Sequence, residues 1–479
     1  MPKFTSADIE NSRPLDVWRW SDHPDANAFI NKLFPKYFDC FRDRKKAKKY
    51  VKVLLLDLYI AFREDPKQSL SLPMTPSAYH KGSRWRSIHI NRFIISIVNQ
   101  AEKCELIDVW RGVEARKRIT RLRPTKKLTK EFKKGKLQAV TAANSSCRPP
   151  IFIKDSDGNR FASYQTNLKP MEKHHVIEME FQIISYNAQL NNAFIDIPTA
   201  NSHKIKVNGP NLKDAYVLIS DHRKRVWRIF NNSNLDQDGR FYGPWWQQLP
   251  KAWREKIFIN DKPTVEIDYS GLHINLLYAL HGFDLDNHPA RIDPYEIEID
   301  IDTAKDIKRK IAKKMMLIAI NASNEKQTLQ AFRKWVKHEP FNKALPDLKD
   351  QTLIPILENL KSKHSAISHT FCAGVGLSLM ALDSNILERI ITKTINEDII
   401  TLTVHDSVIV QRRHYLRVKE IMKETFKEIL KDNDIETRPS EQYNKTLGIG
   451  AYKPQPIATK TNRYKRKERE WREQQTPLP

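Results

Sequence analysis

Apolar residues recur at helical spacing over residues 45–64, where Val51, Leu54, Leu55, Leu58 and Phe62 share a face and Asp65-Pro66 ends the pattern. The same spacing predicts a second helix over 86–104, with Ile88, Phe93, Ile94, Ile97 and Val98 as its apolar set. Leu106-Ile107-Asp108-Val109-Trp110 then reads as a strand, Arg111-Gly112 opens a turn, and Ile119-Thr120-Arg121-Leu122-Arg123-Pro124 returns. Residues 126–167 are basic and then polar, and Asp155-Ser156-Asp157-Gly158-Asn159 marks a turn within what reads as a linker. Residues 171–194 form a long helical stretch, and 196–221 are mixed and short-stranded. Two β-rich runs stand out further on. Thr264-Val265-Glu266-Ile267 ends on Asp268. Ile399-Ile400-Thr401-Leu402-Thr403-Val404 breaks at His405-Asp406-Ser407 and resumes as Val408-Ile409-Val410. Between them, residues 306–320 predict a helix that is basic on one side and apolar on the other. After Pro454 apolar residues thin out, and 462–469 read as a charged tail, either mobile or a solvated helix.

Charge changes this picture. The 479 residues carry 82 Lys plus Arg against 57 Asp plus Glu, a formal net charge of +25. That excess suits a polyanion, with nucleic acid the first candidate and a merely basic soluble protein the alternative. No apolar run reaches spanning length, so no membrane partner is expected. Cys40, Cys104, Cys147 and Cys372 are scattered without zinc-ligand spacing or a disulfide framework, and Met1-Pro2-Lys3-Phe4-Thr5 has no apolar signal region, which points to a cytoplasmic location.

In the first 135 residues, helices followed by a basic hairpin look like a winged helix. On that reading Lys81, Arg84, Arg86 and Arg92 crowd the helix, and Arg116, Lys117, Arg118, Arg121 and Arg123 stud the wing that lies on phosphates. The alternative is a small helical domain with a solvated charged face.

Two strand-end aspartates flanking a basic helix carry the chemistry. Asp268 and Asp406 can hold two divalent cations, and Arg309 and Lys313, one turn apart, can grip a triphosphate. Each feature alone has a plainer reading: a turn-forming Asp, a polar hairpin tip, a solvated helix face. Lys310 and Lys314 form a second pair on the same helix. Asn234-Leu235-Asp236-Gln237-Asp238-Gly239-Arg240 precedes them as an acidic turn followed by Gly-Arg.

Taken in order, these elements resemble the core shared by family A DNA polymerases and single-subunit, bacteriophage-type RNA polymerases, over residues 225–452. Asp236-Gln237-Asp238-Gly239-Arg240 resembles their duplex-contacting DxxGR element, Asp268-Tyr269-Ser270 motif A, Arg309-x3-Lys313 motif B, and His405-Asp406-Ser407 motif C. The resemblance implies two Mg²⁺ (or Mn²⁺) ions on Asp268 and Asp406. It implies nucleotide contacts from Arg309, Lys313, His273, Tyr269 and Asn321, and nucleic-acid contacts from Arg240 and His405. The sequence departs from the pattern at Asn321-Ala322, where an aromatic and a glycine are usual, and at His273, where the DNA enzymes carry a glutamate that excludes a 2′-hydroxyl. Asp8-Ile9-Glu10 has the Asp-x-Glu form of a proofreading domain, but no apolar strand supports it, so no proofreading is expected.

The expected architecture is α+β: a compact right-hand polymerase with palm, fingers and a thumb-like helix, behind an N-terminal winged-helix-like domain. The expected divisions are 1–135, a linker and thumb-like region at 136–224, palm and fingers at 225–452, and a basic tail at 453–479. The expected activity is template-directed nucleotidyl transfer to a 3′-hydroxyl with pyrophosphate release, deoxynucleotides slightly favoured, in replication or priming of a mobile element. The expected partners are DNA template, primer or product strand, and nucleoside triphosphates. Two rivals stand beside it: a non-catalytic DNA-binding replication initiator on a degenerate polymerase fold, and a metal-dependent nuclease with Glu266 as a third acid.

Overall fold

The computed structural model describes residues 4–112, 119–135, 137, 147–209, 212–283, 293–337, 339, 349–432, 449–451 and 459–475. It is a mixed α/β chain that divides into two compact units. One comprises residues 1–176, 200–208 and 214–227, the other 177–199, 209–213 and 228–479.

The N-terminal unit is built around helix Arg44–Glu64, which is buried continuously from Tyr50 to Ala61. Asp43 accepts from the Lys46 amide and caps its first turn. A mixed sheet of order β1 (Arg13–Pro14), β2 (Leu70–Leu72), β4 (Thr120–Pro124), β3 (Ile107–Trp110) lies beside it. Asp57, fully buried on the helix, is reached by Arg13 at 2.8 Å and Arg19 at 3.2 Å. A buried carboxylate of this kind persists only because both guanidiniums neutralise it.

The second predicted helix is shorter than its periodicity: it runs Ile94–Lys103. Upstream, Ser87 Oγ accepts from the His89 and Ile90 amides and Asn91 Oδ1 from the Phe93 amide. These side chains give the backbone an alternative to the helix. Lys81, Arg84, Arg86 and Arg92 therefore sit on turns, not on the helix. The stretch read as a linker holds helix Lys126–Lys134 and a hairpin, β5 (Ile151–Lys154) and β6 (Arg160–Ala162). Asp155 closes the hairpin turn by accepting from the Asp157 and Asn159 amides.

Helix Pro170–Asn192 leads into the second unit, matching the predicted 171–194 stretch. That unit's main sheet runs from β14 (Thr401–Val404) through β15 (Ser407–Gln411), β13 (Lys262–Tyr269) and β12 (Phe258–Ile259) to β7 (Ile195–Asp196), and β16 (Ile449–Ala451) also pairs with β13. Strand β13 alternates: Val265, Ile267 and Tyr269 are buried on one side. There the Tyr269 hydroxyl donates to the Met422 carbonyl of helix Tyr415–Asp432 at 2.6 Å. Helix Gly376–Asn396 packs against β11 (Asn234–Tyr242), locked by the fully buried Arg228, which donates to Gly239 O at 2.6 Å and to Glu388 at 2.6 Å.

The charged tail is a packed helix, Asn462–Gln475. Tyr464 is completely buried, and Lys467 and Arg463 pair with the fully buried Asp196. Neither a mobile tail nor a solvated helix describes it. Among the described residues no helix is long and apolar enough to cross a membrane.

Candidate active site

Strand β13 and hairpin β14–β15 set the two aspartates side by side. Asp268 is the register partner of Ser407, the residue next to Asp406. Gly271, at φ +66°, then turns the chain into helix Leu272–Leu280. A side chain is strained at that φ, so the glycine permits the turn. At the hairpin tip His405 takes φ +56°, which points the loop back so that the strands can pair at once on either side of Asp406.

Both carboxylates line a cavity of about 640 Å³, within the range of small-ligand sites. Arg240, His273, Lys313, Lys314 and Asn321 also line it. Asp268 is pushed up to about 7, by burial first and then by the negative charges of Asp406 and Glu266, against the pull of Lys313 and Lys251. Its carboxylate is nonetheless open to the cavity, so solvent screens part of that penalty. The third acid is already committed. Glu266 receives Arg254 through two hydrogen bonds of 2.8 and 3.0 Å and the Ser407 hydroxyl at 2.9 Å.

Two carboxylates that repel one another and open onto one cavity, Asp268 exposed and Asp406 half-buried, fit a divalent cation. Mg²⁺ is commonly held by one or two carboxylates with substrate phosphates completing its shell. Among the described residues no group of three or more His, Cys, Asp or Glu side chains forms an all-protein metal cage. The donor set therefore suits a metal that arrives with a phosphate-bearing substrate.

The opposite wall comes from helix Lys305–Asn321. Lys313 and Lys314 reach the cavity. Arg309 is not among its lining residues: its Nε donates to Asp293 Oδ2 at 2.6 Å and its guanidinium lies 5.2 Å from the Tyr295 ring. Lys310 pairs with Glu339 at 2.6 Å. Asn321 closes the helix beside Gly376, where an added Cβ would collide with Asn321 Oδ1. Tyr269 also lines the cavity, while its buried hydroxyl is held by the Met422 carbonyl in the core.

A polar relay unseen in the sequence fixes His273. Its Nε2 lies 2.8 Å from Asp383 Oδ2, and Arg240 engages the same carboxylate through Nε and Nη2. Burial pushes the Asp383 carboxyl up, but the His273 and Arg240 hydrogen bonds outweigh it and hold it below the usual range. Arg240 is delivered by Asp238 and Gly239, both at positive φ in β11, with Phe230 Cε1 only 2.6 Å from where a Gly239 Cβ would sit. The signal available in the sequence was Asp383-Ser384-Asn385, a polar run that follows the apolar start of its helix.

His405 stands exposed at the hairpin tip and is not among the cavity-lining residues. In the N-terminal unit, Arg121 donates to Ile9 O at 3.2 Å and Arg123 pairs with Asp8 at 3.5 Å, so both wing candidates are engaged within the protein. Arg116, Lys117 and Arg118 lie outside the described residues. Arg84 and Arg86 line a separate small recess of that unit.

No protein-family model matches the chain, and no curated protein matches it. One similar solved structure is the POL domain of Pol1 from M. smegmatis in complex with DNA primer-template and dNTP. It shows 12% sequence identity over 84% of this chain and 69% of that chain, with a TM-score of 0.25. A superposition that loose does not establish a shared fold.

Proposed function

We propose that the C-terminal unit is a template-directed nucleotidyltransferase that adds nucleotides to a 3′-hydroxyl and releases pyrophosphate, with DNA as its nucleic-acid partner. The observation that carries this reading is the pairing of Asp268 with Asp406 across one cavity from Lys313 and Lys314. When bound, divalent metal would supply charge neutralisation at the leaving pyrophosphate and a lowered pKa for the attacking hydroxyl. Asp268 and Asp406 are the residues that would hold it. Lys313 and Lys314 neutralise the triphosphate and orient it, which favours both binding and the charge that develops in the transition state. His273, which lines the same cavity and is steadied by Asp383, is the residue assigned to sugar choice on this reading, its imidazole excluding a 2′-hydroxyl by bulk. Arg240 is the minor contact to the product duplex.

Less supports the nuclease reading, because the oxygens of Glu266 are engaged by Arg254 and the Ser407 hydroxyl. The N-terminal unit is read as the nucleic-acid-binding module, supported by a β2–β4–β3 sheet whose β3–β4 hairpin follows helix Ile94–Lys103. The test is extension of a labelled primer on a DNA template with dNTPs or NTPs and Mg²⁺ or Mn²⁺. Product with wild type and none with Asp406→Asn supports the reading. Binding without synthesis under every condition favours the non-catalytic initiator.

A further inference from the structure

Several inward arginines of the N-terminal unit are paired with carboxylates: Arg13 and Arg19 with Asp57, Arg123 with Asp8, Arg148 with Asp16. Arg160 is not. It is half-buried on β6, and its guanidinium lies 4.8 Å from the Phe152 ring with no carboxylate paired to it among the described residues. It lines a recess of about 120 Å³ with Lys81, Arg84 and Arg86, over a floor that includes the buried Trp18 and Phe152. None of those three exposed cations has a carboxylate partner among the described residues either.

The fold brings these charges together deliberately. The Arg160 amide donates to Gly82 O at 2.7 Å, which ties the 81–87 turns onto the hairpin edge. Gly82 has φ +85°, and a Cβ there would lie 2.6 Å from Asn159 Cβ and 2.9 Å from Phe161 Cζ. Only glycine lets the turn approach so closely, and that approach is what sets Arg84 and Arg86 beside Arg160. Burial, and then the charges of Arg148 and Arg84, pull the Arg160 guanidinium down to about 10. A half-buried cation crowded by like charges is a deficit that an anion relieves.

We propose that this recess is a phosphate site for a nucleic-acid strand, with Arg160 as its anchor. The space is well below the roughly 300 Å³ at which ligand pockets begin, so it admits a phosphate group and not a nucleoside. Arginine forks match phosphate oxygens in bidentate geometry. The net charge of +25 makes a nucleic acid the source the chain as a whole would attract. The phosphate is either a strand's 5′-terminal group or an internal phosphodiester. The inference rests on the reading of the N-terminal unit as a nucleic-acid binder and is independent of nucleotide transfer.

The experiment uses the full chain and two 3′-fluorescein oligonucleotides of one sequence, one 5′-phosphorylated and one 5′-hydroxyl, with binding followed by anisotropy without nucleotide. Arg160→Ala is expected to weaken binding about tenfold, the loss typical of a charge-assisted contact. Arg160→Lys should fall between, and Lys130→Ala, which removes one exposed charge elsewhere, should cost less than about twofold. Weakening confined to the phosphorylated strand assigns a terminal phosphate; equal weakening assigns a phosphodiester. Unchanged affinity in Arg160→Ala, or an equal loss in Lys130→Ala, overturns the site. If Arg160→Ala does not fold, the exposed pair Arg84→Ala/Arg86→Ala decides, and unchanged affinity there overturns it. A wild-type chain that binds neither strand overturns both the inference and the reading beneath it.

Discussion

Asp268 holds its proton to about 7, where an aspartate ordinarily titrates near 3.8. A carboxyl raised in this way favours the folded state fully below about 3.8 and loses that contribution as pH rises through about 7. Without metal, Asp268→Asn is therefore expected to melt at a higher temperature than wild type at pH 8 and at the same temperature near pH 4. The gain should be about 1 kcal/mol, because solvent in the cavity screens the repulsion. Mg²⁺ should raise the melting temperature of wild type and not of Asp268→Asn, whose synthesis should fall at least about a thousandfold. At limiting Mg²⁺ the rate should climb through pH 7, and more Mg²⁺ should move the midpoint lower, since metal and proton compete for one carboxylate. A Mg²⁺ shift that survives the substitution would place the metal elsewhere. At the same scale, His273 owes its position to Asp383. His273→Ala and Asp383→Asn should change the ratio of dNTP to NTP incorporation in the same direction. A ratio untouched in both variants, with synthesis intact, would remove His273 from sugar choice.

Elements decide which of two similar cations matters. Arg309 and Lys313 are one turn apart, and helical spacing made them a pair. The turn carrying Arg309 also meets Asp293, and a hydrogen bond of 2.6 Å diverts it. Lys313→Ala is thus expected to raise the nucleotide KM about tenfold, and Arg309→Ala considerably less. Equal losses would mean that Asp293 releases Arg309 when nucleotide binds. This also marks what the sequence made legible. Hairpin β14–β15 and strand β13 were readable because β-branched runs and a polar tip are local signals. Helix Ile94–Lys103 was overextended because Ser87 and Asn91 hold the backbone in turns, which apolar spacing does not register. Asp383 was missed because its value comes from Arg240 and His273, far away along the chain. The packing of the tail is invisible in the sequence for the same reason: its apolar content is low, and it is held by Asp196 and the buried Tyr464. Asp196→Ala removes the buried carboxylate that Arg463 and Lys467 share, so it should cost about 3–5 kcal/mol and expose the tail helix to trypsin. A melting curve and digestion pattern like wild type would return that helix to the status of an appendage.

At the scale of the whole molecule the net charge of +25 sets the background against which two acids stand out. On the proposed reading that charge attracts nucleic acid, an attraction that is long-ranged and falls steeply with salt as each neutralised phosphate releases counterions. Asp268 and Asp406 oppose that field locally, and their mutual repulsion is a cost that Lys313 and Lys251 near Asp268 and Arg240 near Asp406 offset only in part. If the two acids serve only to hold metal, removing both should separate binding from chemistry. The double variant Asp268→Asn/Asp406→Asn carries two more units of net positive charge. It is expected to bind a primer-template as tightly as wild type or slightly more tightly in the absence of Mg²⁺, with an unchanged slope of log affinity against log salt, while synthesis is lost. The unchanged slope is the discriminating readout, because it counts phosphate contacts and not catalytic groups. A shallower slope would mean that the aspartates organise the nucleic-acid surface itself, as a non-catalytic binder on this scaffold would require.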